Sequence, residues 1–166
     1  MSLEAQNIEQ FPGNSWVLPT DIDLVGPASE SFVSRLVEAG IDKESDLVYN
    51  LEVAFREAII NAIAHGNLGV VMPDDSPKPL MTMAKEEQTA NPSDKKVYVD
   101  IVIDSEIISV TIRDEGKGFN WRDVADPREG EAVLKPRGRG IMFMNSFFDS
   151  VTYNEPGNEV KMVKKR

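Results

Sequence analysis

Residues 56–67 read REAIINAIAHGN and lie at the end of the longest periodic segment in this 166-residue chain. Across residues 43–65 apolar side chains recur every three or four positions, which predicts an amphipathic helix with one buried face. Glu57 and Asn61 are four residues apart and therefore lie on the same helical face, and His65 is one turn further along. Such a pair usually belongs to an ordinary solvated face, so by itself it defines no function.

A second cluster follows two segments rich in β-branched residues, 97–103 and 107–112, which predict a β-hairpin. The chain continues as RDEGKGFN over residues 113–120, so a glycine-rich turn comes directly after the second strand. The glycines permit a tight turn and the close approach of a flat ring, and a buried aspartate there could accept a hydrogen bond from an exocyclic amino group. The alternative is a common Asp-Gly turn without a ligand. The candidate residues are Asp114, Gly116, Gly118 and Phe119.

A third cluster, RGRG at residues 137–140, opens a helical apolar pattern that runs over residues 140–148. The first turn of a helix carries free backbone N–H groups and the positive end of the helix dipole, so it can bind an anion such as phosphate. A glycine pair before a helix is often only an N-terminal turn, so this signal is weak when taken singly. The candidate residues are Arg137, Gly138, Arg139, Gly140, Ile141 and Met142.

The remaining segments predict a single domain over residues 1–166 with an α+β fold. We expect a two-layer sandwich in which helices cover one face of a mixed, mostly antiparallel sheet. Gly66 is expected to end the long helix. The further predicted elements are a strand at 15–18, a helix at 27–39, and a final strand pair at 150–153 and 159–163.

Two segments interrupt this pattern. Residues 69–95 contain four prolines and are interpreted as an insertion that holds one short helix at 80–88. Residues 122–136 are polar, contain glycine and proline, and are interpreted as a loop between the second and third clusters.

Composition excludes several classes of function. The chain has 28 acidic and 18 basic residues and a formal charge of -10, so it repels phosphate backbones and nucleic acid is not an expected partner, whereas a basic protein surface is. It contains no cysteine, so it has neither disulfides nor thiolate metal sites. The first ten residues lack the pattern of a signal peptide, and no apolar run has the length of a membrane helix, so we expect a cytoplasmic protein.

The three clusters, in this order and spacing, resemble the N box, first glycine box, lid and second glycine box of the GHKL (histidine-kinase-like, Bergerat-fold) ATPases. Within that superfamily, REAIINAIAHGN, RDEGKGF, RGRGIMFMNSFFDSVTYN and GNEVKMVKKR look most like the anti-sigma-factor serine/threonine kinases. The resemblance extends from about Trp16 to Lys165.

This resemblance implies ATP and Mg²⁺ as cofactors and assigns roles to residues. Asn61 would be the Mg²⁺ ligand, Asp114 would bind the adenine amino group, and Glu57 would be the catalytic base. Residues 123–136 would be the lid that closes over the nucleotide. The nucleotide would also be contacted by His65, Gly116, Gly118, Phe119, Arg137, Gly138, Arg139, Gly140, Ile141 and Met142.

The same resemblance implies that the protein sequesters a sigma factor or similar regulator and phosphorylates a serine on an antagonist protein. A homodimer is the assembly it suggests. One alternative stays open at this point, a non-catalytic ATP-binding module that acts by sequestration alone. Glu57 favours the kinase, since a binding module needs no base beside the metal.

Overall fold

The computed structural model describes residues 11–71, 78–121 and 136–166, with only the backbone of residues 136–139. These parts of the chain form five strands and four α-helices. The strands are β1 (Ser15–Pro19), β2 (Lys96–Ile103), β3 (Ile107–Arg113), β4 (Ser150–Tyr153) and β5 (Glu159–Lys165). The helices are α1 (Val25–Glu38), α2 (Asp46–Asn61), α3 (Leu80–Ala90) and α4 (Pro136–Phe147).

The strands form one sheet in the order β1-β2-β3-β5-β4. All four pairings among the described strands are antiparallel, so none of them is the parallel pair that a mixed sheet would contain. Side chains alternate between buried and exposed along β2, because successive residues of a strand point to opposite faces. Val97, Val99 and Ile101 therefore enter the core.

Helices α1, α2 and α4 provide the second layer of the core, with α2 in contact with both of the others. The rings of Phe32 on α1 and Phe55 on α2 stack with centroids 4.5 Å apart, and Trp16 of β1 meets Phe55 edge-on. Aromatic contacts of this kind add to the burial of large apolar surfaces. The predicted α+β sandwich is confirmed.

The end of the long helix differs from the prediction. The α-helical part of α2 ends at Asn61, and the chain continues as a π-helical turn, Ala62–Asn67, in which the Leu68 N–H bonds to the Ile63 carbonyl five residues back. Gly66 lies inside this turn and does not end the helix. Its backbone does not adopt a positive φ, whereas Gly69, with φ +67°, does.

The insertion contains the predicted short helix, which extends to Ala90 as α3. Gln88 attaches this helix to the segment just before α1. Its Oε1 accepts from the Ile22 N–H at 2.8 Å, and its Nε2 donates to Asp21 Oδ1 at 3.0 Å. Residues 72–77 of the insertion, and the predicted lid apart from Pro136, lie outside the described residues. In the part of the chain that is described, no helix is both long and apolar enough to cross a membrane.

Candidate functional site

A cleft lies between α2, the π-helical turn, α4, the end of β3 and the start of β5. The residues that line it include Asn61, His65, Gly66, Asp114, Gly118, Phe119, Ile141, Met144, Tyr153, Gly157 and Asn158.

Asp114 lies at the base of the cleft, directly after β3, and only 8% of it is exposed. Its Oδ1 accepts a hydrogen bond from the Gly116 N–H at 2.8 Å. Burial disfavours the charged form and raises the pKa of Asp114 to about 6, although this hydrogen bond and the charges of Lys95 and Arg113 act in the opposite direction. The carboxyl group is thus a buried acceptor that faces a cleft.

Two glycines allow the Asp114 turn to pack against the π-helical turn that follows α2. A Cβ on Gly66 would overlap the Asp114 carboxyl group and come within 2.6 Å of its Oδ1. A Cβ on Gly116 would overlap the Gly66 carbonyl. Both positions therefore require glycine because of close approach, not because of an unusual φ.

A second tight contact joins the glycine-rich turn to the turn between β4 and β5. Gly118 has φ +79°, and a Cβ there would overlap the Pro156 carbonyl. Phe119 meets Tyr153 edge-on, with ring centroids 5.2 Å apart, and Tyr153 in turn stacks on Trp121. These rings give the cleft an apolar wall on the side of β4.

Glu57 and Asn61 lie where α2 faces α4, and Asn61 lines the cleft whereas Glu57 does not. A Cβ on Gly140 would be 3.0 Å from Glu57 Oε2 and 3.5 Å from Asn61 Nδ2, so the first turns of α4 pass close to both side chains. Gly140 itself is buried. The N-terminal end of α4 is therefore next to a carboxylate and a side-chain amide.

The structure brings most of the predicted site residues to this one cleft. Four of the described site residues do not line it: Glu57, Gly116, Gly140 and Met142. Arg137, Gly138 and Arg139 are described only by their backbone in the first turn of α4. Sequence reasoning missed several residues of the lining, because their contacts cross long distances along the chain. These are Gly66, Met144, Tyr153, Gly157 and Asn158.

The residues fit an adenine nucleotide. A buried carboxylate acceptor and a glycine cradle suit a flat ring with an amino group, while the start of a helix suits phosphates. Among the described residues, no three His, Cys, Asp or Glu side chains form a metal cluster.

The fold and cleft define the class of protein, an ATPase domain of the histidine kinase type. The model of the histidine kinase-like ATPase domain matches residues 80–164, and the chain belongs to this family. Proteins named anti-sigma F factor are similar to most of it. The one from Heyndrickxia coagulans is 30% identical over 147 residues, covering 82% of this chain and 84% of the relative.

Two further anti-sigma F factors are similar to more than two thirds of the chain. The protein from Halalkalibacterium halodurans is 31% identical over 130 residues, covering 74% of this chain and 73% of its own length. The protein from Bacillus subtilis is 27% identical over 146 residues, covering 82% and 84%. The predicted family is confirmed, and an ATP-binding regulatory role agrees with it.

The raised pKa of Asp114 predicts a pH dependence of stability. The folded state binds the Asp114 proton more tightly than the unfolded chain, whose carboxyl group has a pKa near 3.8. The resulting stabilisation is complete below about pH 4 and is lost as the pH rises through about 6. We expect the free energy of unfolding of the wild type, relative to Asp114→Asn, to fall by up to roughly 3 kcal/mol between these limits. Urea unfolding of both proteins at pH 4 to 7.5 measures this, and parallel curves would contradict it.

Proposed function

We propose that this protein is an ATP-dependent serine kinase of the anti-sigma-factor type. It binds a sigma factor or a similar regulator and transfers the γ-phosphate of ATP to a serine of an antagonist protein. One observation carries the proposal: Glu57 and Asn61 adjoin the first turns of α4, while a buried acceptor, Asp114, lies further along the same cleft that Asn61 lines.

The separation of the Asp114 end from the α4 end suits ATP. Gly66, which touches Asp114, lies nine residues after Glu57 on the same helical segment. The α-helical rise of 1.5 Å per residue, which a π-helical turn does not reach, gives an upper limit of about 13.5 Å. ATP can span such a distance from its adenine amino group to its terminal phosphate. The adenine would therefore lie at Asp114 and the phosphates at α4.

Each end then has its own task. Asp114 accepts from the adenine amino group, with Gly116, Gly118, Phe119 and His65 around the base. The backbone N–H groups of residues 137–142 bind the phosphates at the positive end of the α4 dipole. Asn61 supplies an oxygen ligand for Mg²⁺, which would neutralise phosphate charge during transfer. Residues 123–136 act as a lid.

Glu57 acts on the protein substrate. Its carboxylate accepts the proton of the serine hydroxyl as the serine oxygen forms a bond to the γ-phosphorus. The bond between this phosphorus and the bridging oxygen breaks, and ADP leaves with the electron pair. Glu57 and Asn61 lie one turn apart in the same helix, so the catalytic carboxylate is next to the proposed metal ligand.

The partners follow from charge and family. A net charge of -10 suits a partner with a basic surface. The relatives are named for action against sigma F, and we extend this to a sigma factor of the organism that makes this protein. Sigma factors act in the cytoplasm, where we therefore place this protein. A homodimer is the proposed assembly, and sedimentation would test it.

The direct test is phosphate transfer. Purified protein is incubated with labelled ATP, Mg²⁺ and a candidate antagonist from the same genome, and phosphoserine is identified by mass spectrometry. Transfer to one serine would support the kinase. If ATP binds and the sigma factor is held, but no antagonist is phosphorylated, the protein is a sequestering module instead.

Asp114→Asn tests the adenine end of the cleft. An amide in place of the carboxylate presents an NH₂ group to the adenine amino group, so we expect ATP affinity to fall by one to two decades, or about 1 to 3 kcal/mol. Calorimetry at pH 7.5, where Asp114 is ionised, measures this. Unchanged affinity in a folded variant would remove Asp114 from the adenine site.

A further inference from the structure

Asn67 is the last residue of the π-helical turn and is buried, with 6% of its surface exposed. The turn determines where this side chain lies. The Leu68 N–H bonds to the Ile63 carbonyl rather than to that of Ala64, so this hydrogen bond spans one more residue than the bond of an α-helix does. Asn67 thereby reaches both the start of β2 and the turn after β3.

The amide of Asn67 makes three hydrogen bonds to three different segments. Its Nδ2 donates to the Lys96 carbonyl and to Thr20 Oγ1, each at 3.0 Å, and its Oδ1 accepts from the Glu115 N–H at 2.8 Å. A carbonyl can only accept and a backbone N–H can only donate, so these partners determine the orientation of the amide. Neither aspartate nor leucine could replace all three bonds.

These bonds act on the Asp114 turn. Glu115 lies between Asp114 and Gly116, and its N–H is held by Asn67. The neighbouring Gly66 lies against the Asp114 carboxyl group itself. The π-helical turn therefore holds the Asp114 turn through two adjacent residues, one by close packing and one by a hydrogen bond.

We infer that Asn67 is a positioning residue for base recognition, which sets the place of the Asp114 carboxylate without touching the nucleotide. Asn67 is not among the residues that line the cleft. The inference rests on the proposed function, because it takes Asp114 as the acceptor for an amino group. It adds that selectivity for a 6-aminopurine depends on a buried amide outside the cleft.

The test compares ATP with purine riboside triphosphate, which has the same sugar and phosphates but lacks the 6-amino group. Calorimetry on the wild type should show a preference for ATP of about 10- to 100-fold. In Asn67→Ala the preference for ATP should be roughly tenfold smaller, with little change in the affinity for purine riboside triphosphate. In an Asp114→Asn background, Asn67→Ala should change the preference no further.

Ser29→Ala is the matched control, since it removes another buried hydrogen bond, that of Ser29 to Glu52, from two residues that do not line the cleft. It should leave the preference unchanged. If Asn67→Ala does not fold, Thr20→Val, which removes one acceptor of the amide, should lower the preference in the same direction. An equal loss of affinity for both nucleotides, or none, would overturn the inference. A wild type that binds no ATP would overturn the proposed function and the inference with it.

Discussion

Glu57→Gln should bind ATP with nearly the affinity of the wild type and phosphorylate the antagonist roughly 10²- to 10⁴-fold more slowly, the usual range for the loss of a general base. Glutamine keeps the size and shape of the side chain next to Gly140, so the approach of α4 to α2 is retained. It cannot accept the serine proton as a carboxylate does. Binding and chemistry should therefore separate in this variant.

The measurement is paired. Calorimetry gives the ATP affinity, and mass spectrometry gives the rate of phosphoserine formation on the antagonist. Glu52→Gln is the control, because Glu52 is half-buried on the same helix, bonded to Ser29, and away from the cleft. It should phosphorylate at the wild-type rate. A Glu57→Gln protein that is as fast as the wild type would show that Glu57 is not the base.

Asn61→Ala should lose both binding and turnover, with kcat/KM lower by about 10²- to 10³-fold. This corresponds to the several kcal/mol that a correctly placed metal ion contributes to phosphate chemistry. The effect should depend on the metal, since the side chain supplies an oxygen ligand and alanine supplies none. Asn61→Asp, which retains an oxygen at this position, should recover part of the activity.

Calorimetry with Mg²⁺ and with EDTA distinguishes this role from a structural one. The wild type should bind ATP more tightly with Mg²⁺, and Asn61→Ala should show little difference between the two conditions. Asn50→Ala, on the same helix but outside the cleft lining, should behave as the wild type does. If Asn61→Ala retains the full effect of Mg²⁺, Asn61 is not the metal ligand.

Together the two variants test the kinase against the sequestering module. In a kinase, Glu57→Gln slows transfer and leaves binding, whereas Asn61→Ala weakens both. In a module that only sequesters, the wild type itself transfers nothing, and Glu57→Gln changes no measured property. One antagonist that the wild type phosphorylates is enough to decide for the kinase.

Local patterns predicted much of the fold and of the site. The spacing of apolar residues predicted α2, because a helix repeats every 3.6 residues and its faces can be assigned without tertiary information. The same geometry placed Glu57 and Asn61 on one face. The two β-branched segments on either side of residue 105 predicted β2 and β3, and with them the position of Asp114 directly after a strand.

The role of Gly66 was not predictable in this way. A glycine after a helical pattern usually ends the helix, and Gly66 was expected to do so. Gly66 instead lies inside a π-helical turn and packs against the carboxyl group of Asp114, which is distant in the chain. No local pattern around residue 66 contains this information.

The sequence alone therefore determined the family, the α+β class and the order of three local motifs, since each depends on neighbours a few residues apart. Tertiary structure alone decided that these motifs share one cleft, that the turn between β4 and β5 completes its wall, and that Asn67 holds the Asp114 turn. The physical reason is that hydrogen bonds and close packing between distant segments exist only once the helices lie on the sheet.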